Sequence, residues 1–439
     1  MHKPISQRIL TTSQYIFYGL LAYMPLHIFI STVIGANIGG LEFLKVFKDI
    51  LALFGFCLIL GISVKRTWFK EWIQNKLVVA VLAYALLTVL LAAFKRTDQD
   101  AEVLGVVYNL RLPLFLLYGW LLSLHLPVAE LRKSAIKIVL GSGMVVSLFG
   151  VIQYLFLPND ALTHLGFTTA NGVFPAFFID NKPDLERVMS TLRDPNSLGS
   201  YLIIIITLVA ARLASVKRQL RSYWIGYGLA AGLCLLLTFS RSALLGLGFA
   251  LVVSVIAAGQ KLGIQKYTKK VGYGLAVLCI VGIGGFVAAR NTYFVSNVIF
   301  HADAATVEED PNELRVRFVR ESIQDITGDP LGKGPGTAGL ASIKNDTQGT
   351  KLTENYYLQI AIEAGIVGLI LFIVILALMA WNLWIQRVDL YAVALLASFA
   401  GLAVTNLLVH IWSNEAVAYT WWGLAGLMMN IKQRPRVKH

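Results

Sequence analysis

Charge is what this sequence has little of. Of its 439 residues 14% are Asp, Glu, Lys or Arg, against 56% hydrophobic, and the mean hydropathy is +0.67. Such a chain has too little polar surface to close around a water-facing core, so the composition excludes a soluble domain and indicates a polytopic membrane protein. Cysteine is nearly as scarce. Cys57, Cys234 and Cys279 all fall inside apolar runs, where an isolated thiol behaves as a small apolar residue, and neither a disulfide framework nor a metal site is expected. The opening MHKPISQRIL has no short apolar core with a small-residue cleavage site, so the first apolar run is expected to stay as a span. A clear internal repeat is lacking too.

What is present is a series of apolar runs, each long enough or nearly so to cross roughly 30 Å of hydrocarbon as a helix. Twelve are expected: Tyr15 to Ile34, Val46 to Ile62, Leu77 to Phe94, Leu104 to Leu124, Ala135 to Leu157, Asn196 to Ala211, Trp224 to Thr238, Ala243 to Ala258, Val271 to Ala289, Tyr356 to Trp381, Tyr391 to Val409 and Ala416 to Met429. With both termini cytoplasmic, the inside segments hold more than half of the 38 lysines and arginines and very few carboxylates, Glu71 and Glu130 among them. That asymmetry favours this orientation. The formal charge of +13 is then largely an orientation signal with attraction to anionic lipid heads. Nucleic-acid binding is not expected, because the cations are spread over many short loops. Two long outer loops remain, Pro158 to Pro195 and Asn291 to Thr353, and connections of that length are functional or disordered.

Five polar clusters break the apolar background, and all map to the outer half. In RVMSTLRDPNSLGSYL, Asp194 or Asn196 can cap the sixth span with Pro195 in its first turn, which sets a helix N-terminus beside Arg187 and Arg193. In LTFSRSALLG, the hairpin between spans seven and eight is short, so Ser240 and Arg241 sit at or just below the outer hydrocarbon boundary, where an arginine marks a functional site unless it merely snorkels. In ELRVRFVRESIQDIT, Leu314, Phe318, Val319, Ile323 and Ile326 form the apolar side of a helix on the membrane surface, while Arg315, Arg317 and Arg320 form a basic side. GDPLGKGPGTAG follows as an irregular turn. In TENYYLQIAIEAG, Asn355, Gln359 and Glu363 draw a polar stripe down one helix face, with Glu354 at its mouth as a candidate base. Bonds to neighbouring helices are the alternative use of such a stripe. Last, Arg111 lies within span four and needs a partner or water, with Lys45, Lys48 and Asp49 near the start of span two. Solvated faces and lipid phosphate are the plain explanations for single arginines. Several guanidiniums converging from three segments suit a diphosphate, because each offers bidentate donors and stays charged.

Taken together, RVMSTLRDPNSLGSYL, TFSRSALLGL, the arginines before DPLGKGPGTAG, and ENYYLQIAIEAGIVGLILF resemble the O-antigen ligase and polymerase superfamily over roughly Arg187 to Phe372. The resemblance implies an all-α, GT-C-related polytopic fold of about twelve helices with a large outer loop between helices nine and ten. It divides the chain into a membrane region (1–186), a ligase-like region (187–383, with outer loop 291–353) and two final helices with a basic tail (384–439). It implies a metal-independent, inverting glycosyltransferase without cofactor. The donor is a glycan on undecaprenyl diphosphate, the acceptor a glycan or glycolipid hydroxyl, and the site the outer face of the bacterial cytoplasmic membrane. Arg241 and Arg315, or otherwise Arg317, match the family's diphosphate-binding arginines, and Arg187 matches the one ahead of Pro195-Asn196. Arg193 and Arg320 are expected to join them, with Ser240, Arg111 and Gln359 as support. Where ligases typically carry His-Asn, this chain has Glu354-Asn355, so either Glu354 takes the histidine's place or the branch is polymerase-like. The rival is a multi-pass transporter or flippase of lipid-linked oligosaccharide.

Overall fold

The computed structural model describes residues 5–64, 69–179, 182–259, 311–347 and 349–429. Apolar runs become helices because a backbone in hydrocarbon has to satisfy its own polar groups. In chain order these are α1 (Ile5–Tyr23), α2 (His27–Ile38), α3 (Leu41–Val64), α4 (Phe69–Gln74), α5 (Lys76–Phe94), α6 (Gln99–His125), α7 (Val128–Phe156), α8 (Pro195–Ser215), α9 (Arg221–Leu237), α10 (Arg241–Ala258), α11 (Pro311–Gly328), α12 (Tyr356–Ile385), α13 (Leu390–Thr405) and α14 (Glu415–Leu427). One antiparallel hairpin, β1 (Phe177–Ile179) with β2 (Lys182–Arg187), is the sole sheet among the described residues. The protein is an all-α polytopic membrane protein. Nine stretches among the described residues are long and apolar enough to cross a membrane, the first being α1 and α2 joined through a 3-10 turn at Met24–Leu26.

Two expectations need adjustment. The span expected at Val271 to Ala289, with the outer loop up to residue 310, lies outside the described residues. The last expected span is shorter than its run: α14 has 13 residues and is buried from Ala416 to Leu427. At 1.5 Å per residue it is about 20 Å long, short of a full crossing on its own. It packs chiefly on α6.

Small residues let the helices approach closely. A Cβ on Gly401 of α13 would stand 2.5 Å from the Gly246 carbonyl oxygen of α10, and one on Gly246 2.8 Å from the Gly401 oxygen. Contact this close is how helices associate in lipid, where burial itself offers little drive. At one end of the bundle a buried charge cluster joins three segments. Arg111 (α6) reaches Asp49 (α3) at 3.4 Å, Glu415 (α14) at 3.5 Å and the Ser413 carbonyl at 2.8 Å, while Lys48 pairs with Asp49 at 3.1 Å. Tyr419 also donates to Asp49. Two cations meet two anions, so the partner that Arg111 requires is supplied by protein.

Both long loops fold onto the bundle where they are described. The first builds a small core of Leu162, Phe167, Val173 and Met189 against Ile28, Phe29 and Val33 of α2 and Phe149 of α7. The second inserts its glycine-rich turn into a break in α12. Gly365 has φ 69°, a left-handed conformation that suits glycine. The groups freed there are taken up by the turn: the Lys333 and Gly334 amides donate to Ile362 O (2.8 Å) and Glu363 O (3.0 Å), and the Ile366 amide donates to Pro330 O (3.0 Å).

Candidate functional site

The site is assembled from the hairpin's end, the α8 start, the α9–α10 turn and the α13–α14 connector. The Val188 amide donates to Leu237 O at 3.0 Å, which lays β2 along the end of α9. Next to it Arg187 Nε donates to Thr238 O (3.0 Å) and Nη2 to Asn196 Oδ1 (3.1 Å). Asn196 is available because Asp194 is the cap of α8, accepting from the Ser197 amide at 2.9 Å. The Asn196 oxygen also accepts from Ser240 Oγ at 2.9 Å, tying the α8 entry to the turn that carries Arg241. Arg187, Asn196, Phe239, Arg241, Ser242, Leu408 and Val409 line one cavity of about 100 Å³. Two bonds occupy part of the five-donor fork of Arg187 and leave donors for a ligand. Burial lowers its pKa from the ordinary guanidinium value, Asp194 opposing, and a guanidinium stays cationic throughout the physiological range.

A second line of bonds brings Glu354 and Asn355 to this region. Asn355 caps α12, accepting from the Tyr357 and Leu358 amides, while its Nδ2 donates to Leu407 O at 3.1 Å. The Tyr356 amide donates to Asn406 O at 3.0 Å. Thus the connector whose Leu408 and Val409 wall the arginine cavity is stitched to the α12 start. At the connector's other end Asn414 Nδ2 donates to Ser197 Oγ at 2.9 Å, closing the ring back onto α8. Glu354 itself is half-buried with φ 47°, a strained position for a side-chain-bearing residue.

The other expected residues separate by position. Arg193 is half-buried near the connector and acts electrostatically on His410. Arg317 and Arg320 of α11 are exposed and do not line the cavity; Arg317 pairs with Glu321 at 3.8 Å. The side chain of Arg315 lies outside the described residues. Val316, Val319 and Ile323 form an exposed apolar stripe on α11, as a helix on a membrane surface requires. Gln359 and Glu363 are buried and serve the loop: Gln359 bonds Glu363, whose oxygens accept from the Gly336 amide (2.9 Å) and Asn109 Nδ2 (2.8 Å). A second cavity, of about 560 Å³, is lined by Lys95, Asp329, Lys333, Thr337 and Lys351. Its lysines pair with Asp329 and Asp325.

Sequence reasoning missed His410 and Glu415. Both lie in the link between the last two apolar runs, which the inside-positive orientation places outside, and that link holds a histidine, an asparagine and a glutamate in six residues. This was the available signal.

Fold and site together define a polytopic membrane protein with a cationic pocket at one end of its helices. Residues 226–373 match the family model described as O-antigen ligase (Wzy_C). The match supports the O-antigen ligase and polymerase superfamily and, in general terms, a membrane glycosyltransferase of that type acting on a lipid-linked glycan. It covers about a third of the chain, including Arg241, the α11 arginines and Glu354-Asn355, while Arg187, Arg193 and the α13–α14 connector lie outside it. No curated protein matches the chain.

Proposed function

We propose that this protein transfers a glycan from undecaprenyl diphosphate to an acceptor hydroxyl on the outer face of the bacterial cytoplasmic membrane, as a ligase or polymerase of cell-surface polysaccharide. The observation that carries this reading is the meeting of Arg187 and Arg241 in one cavity, held by Asn196 and the Ser240 turn. The diphosphate carries two negative charges in the donor, and breaking its bond to the sugar leaves a further one on the departing oxygen. Fixed guanidiniums in a partly dry cleft hold the first two and neutralise the third as it develops, without reorganising and without a metal. The donor sugar then lies between the arginines and the Glu354 side, and the acceptor hydroxyl attacks the anomeric carbon opposite the leaving group, which inverts its configuration. Arg193 adds positive potential nearby. Arg315, Arg317 and Arg320 belong to the surface helix along which the lipid-linked donor arrives. Glu354 and Asn355 serve the acceptor side, Asn355 by fixing the α12 start against the connector.

The test is transfer from a lipid-linked donor by purified variants. Arg187→Ala and Arg241→Ala are expected to lose about 10²-fold or more in rate, the usual consequence of removing one charge-stabilising donor. Wild-type rates in both refute the proposal.

A further inference from the structure

His410 has no part in the arginine cavity, yet it sits one residue beyond Val409 in the cavity wall. Its backbone is held: the carbonyl accepts from Ser413 Oγ at 2.5 Å and from the Ser413 amide at 3.4 Å. The connector around it is bonded to α12 through Asn406 and Leu407 and to α8 through Asn414. Its Nδ1 is buried without a hydrogen-bond partner. Trp412 and Trp422 also leave a buried ring nitrogen unpaired, but an indole nitrogen only donates, whereas an imidazole protonated on Nε2 presents Nδ1 as an acceptor. A buried acceptor left unpaired is costly, and among the unpaired acceptors, Gln359 and Gln386 Oε1 included, the imidazole nitrogen is the one basic enough to take a proton near neutral pH.

We propose that His410 takes the proton of the acceptor hydroxyl. The inference rests on the donor reading above and adds the group on the other side of the sugar. In the step, the hydroxyl oxygen bonds to the anomeric carbon while the bond from that carbon to the diphosphate oxygen breaks, its electron pair leaving with the diphosphate. The hydroxyl proton moves to Nδ1 and is later lost to water. The charged groups within electrostatic reach of the ring are Asp194, Glu354 and Arg193. The two carboxylates favour the imidazolium formed in transfer, and Arg193 opposes it. Burial, the largest influence, holds the ring's pKa below its ordinary value, so His410 rests as the neutral base and loses function only as pH falls through that lowered value.

The experiment measures transfer against pH at saturating donor, together with undecaprenyl diphosphate binding, for wild type, His410→Gln, His410→Ala and Arg241→Ala. His410→Gln is expected to lose about 10²-fold in kcat, to bind the diphosphate as wild type does, and to lack the acidic limb; imidazole is expected to restore part of the His410→Ala rate. A His410→Gln rate near wild type with the limb intact, while Arg241→Ala is inactive, overturns this inference and leaves the donor reading standing. Full activity in Arg241→Ala overturns the donor reading itself. Should both histidine variants misfold, the wild-type profile still decides: a kcat that shows no acidic limb down to the pH at which the protein itself unfolds overturns the inference.

Discussion

At the scale of the residue, the protein separates arginines proposed to bind from arginines that hold. Arg187 and Arg241 line a cavity, whereas Arg111 is enclosed by Asp49, Glu415 and the Ser413 carbonyl. The distinction follows from partners, which the sequence does not display. An arginine in an apolar run announces itself by its cost, so Arg111 was visible as an exception, and Arg187 and Arg241 stood out through the polar clusters that carry them, but Glu415 lies 304 positions from Arg111 and reaches it only through folding. The same limit hid His410, whose surroundings come from α8, α12 and the connector. Since removing one member of a buried ion cluster leaves uncompensated charge, Arg111→Met is expected to cost about 3–5 kcal/mol. Thermal unfolding of the detergent-solubilised protein measures it, and an unshifted midpoint would show that the cluster contributes nothing.

At the scale of the element, run length and hydropathy located the helices well, because a lipid-embedded segment of sufficient length has little alternative to helix. The break in α12 was not legible. Tyr356 to Trp381 reads as one apolar run, and a lone glycine within it has no distinctive signal; what breaks the helix is the arrival of residues 330–336, whose amides and carbonyls substitute for helical partners. The polar stripe of Gln359 and Glu363 was legible, but its role was not, since the groups it meets belong to that turn and to α6. A Cβ at Gly365 would stand 2.5 Å from the Leu331 carbonyl carbon and would carry the strain of φ 69°. Gly365→Ala is therefore expected to dislodge the turn, read as faster proteolytic cleavage between residues 329 and 353 in the folded protein; protection equal to wild type would mean that the turn does not depend on the break.

At the scale of the molecule, orientation and chemistry depend on each other. The proposed function requires the arginine cavity, the hairpin and the α13–α14 connector to lie on the outer side, as the inside-positive pattern of the sequence leads one to expect. Cysteines introduced at exposed Lys344 and Arg221 are expected to differ: the first reacts with a membrane-impermeant maleimide in intact cells, and the second only after the membrane is opened. The reverse pattern would turn the protein over and remove the donor from its site. The central claim is narrower than topology, for it is that Arg187 and Arg241 grip one diphosphate. Its most direct test is the Kd of undecaprenyl diphosphate for the purified protein and for Arg187→Ala and Arg241→Ala. Loss of a charge-assisted pair predicts affinity about 10-fold weaker or more in each variant; equal affinity in all three proteins would contradict the account.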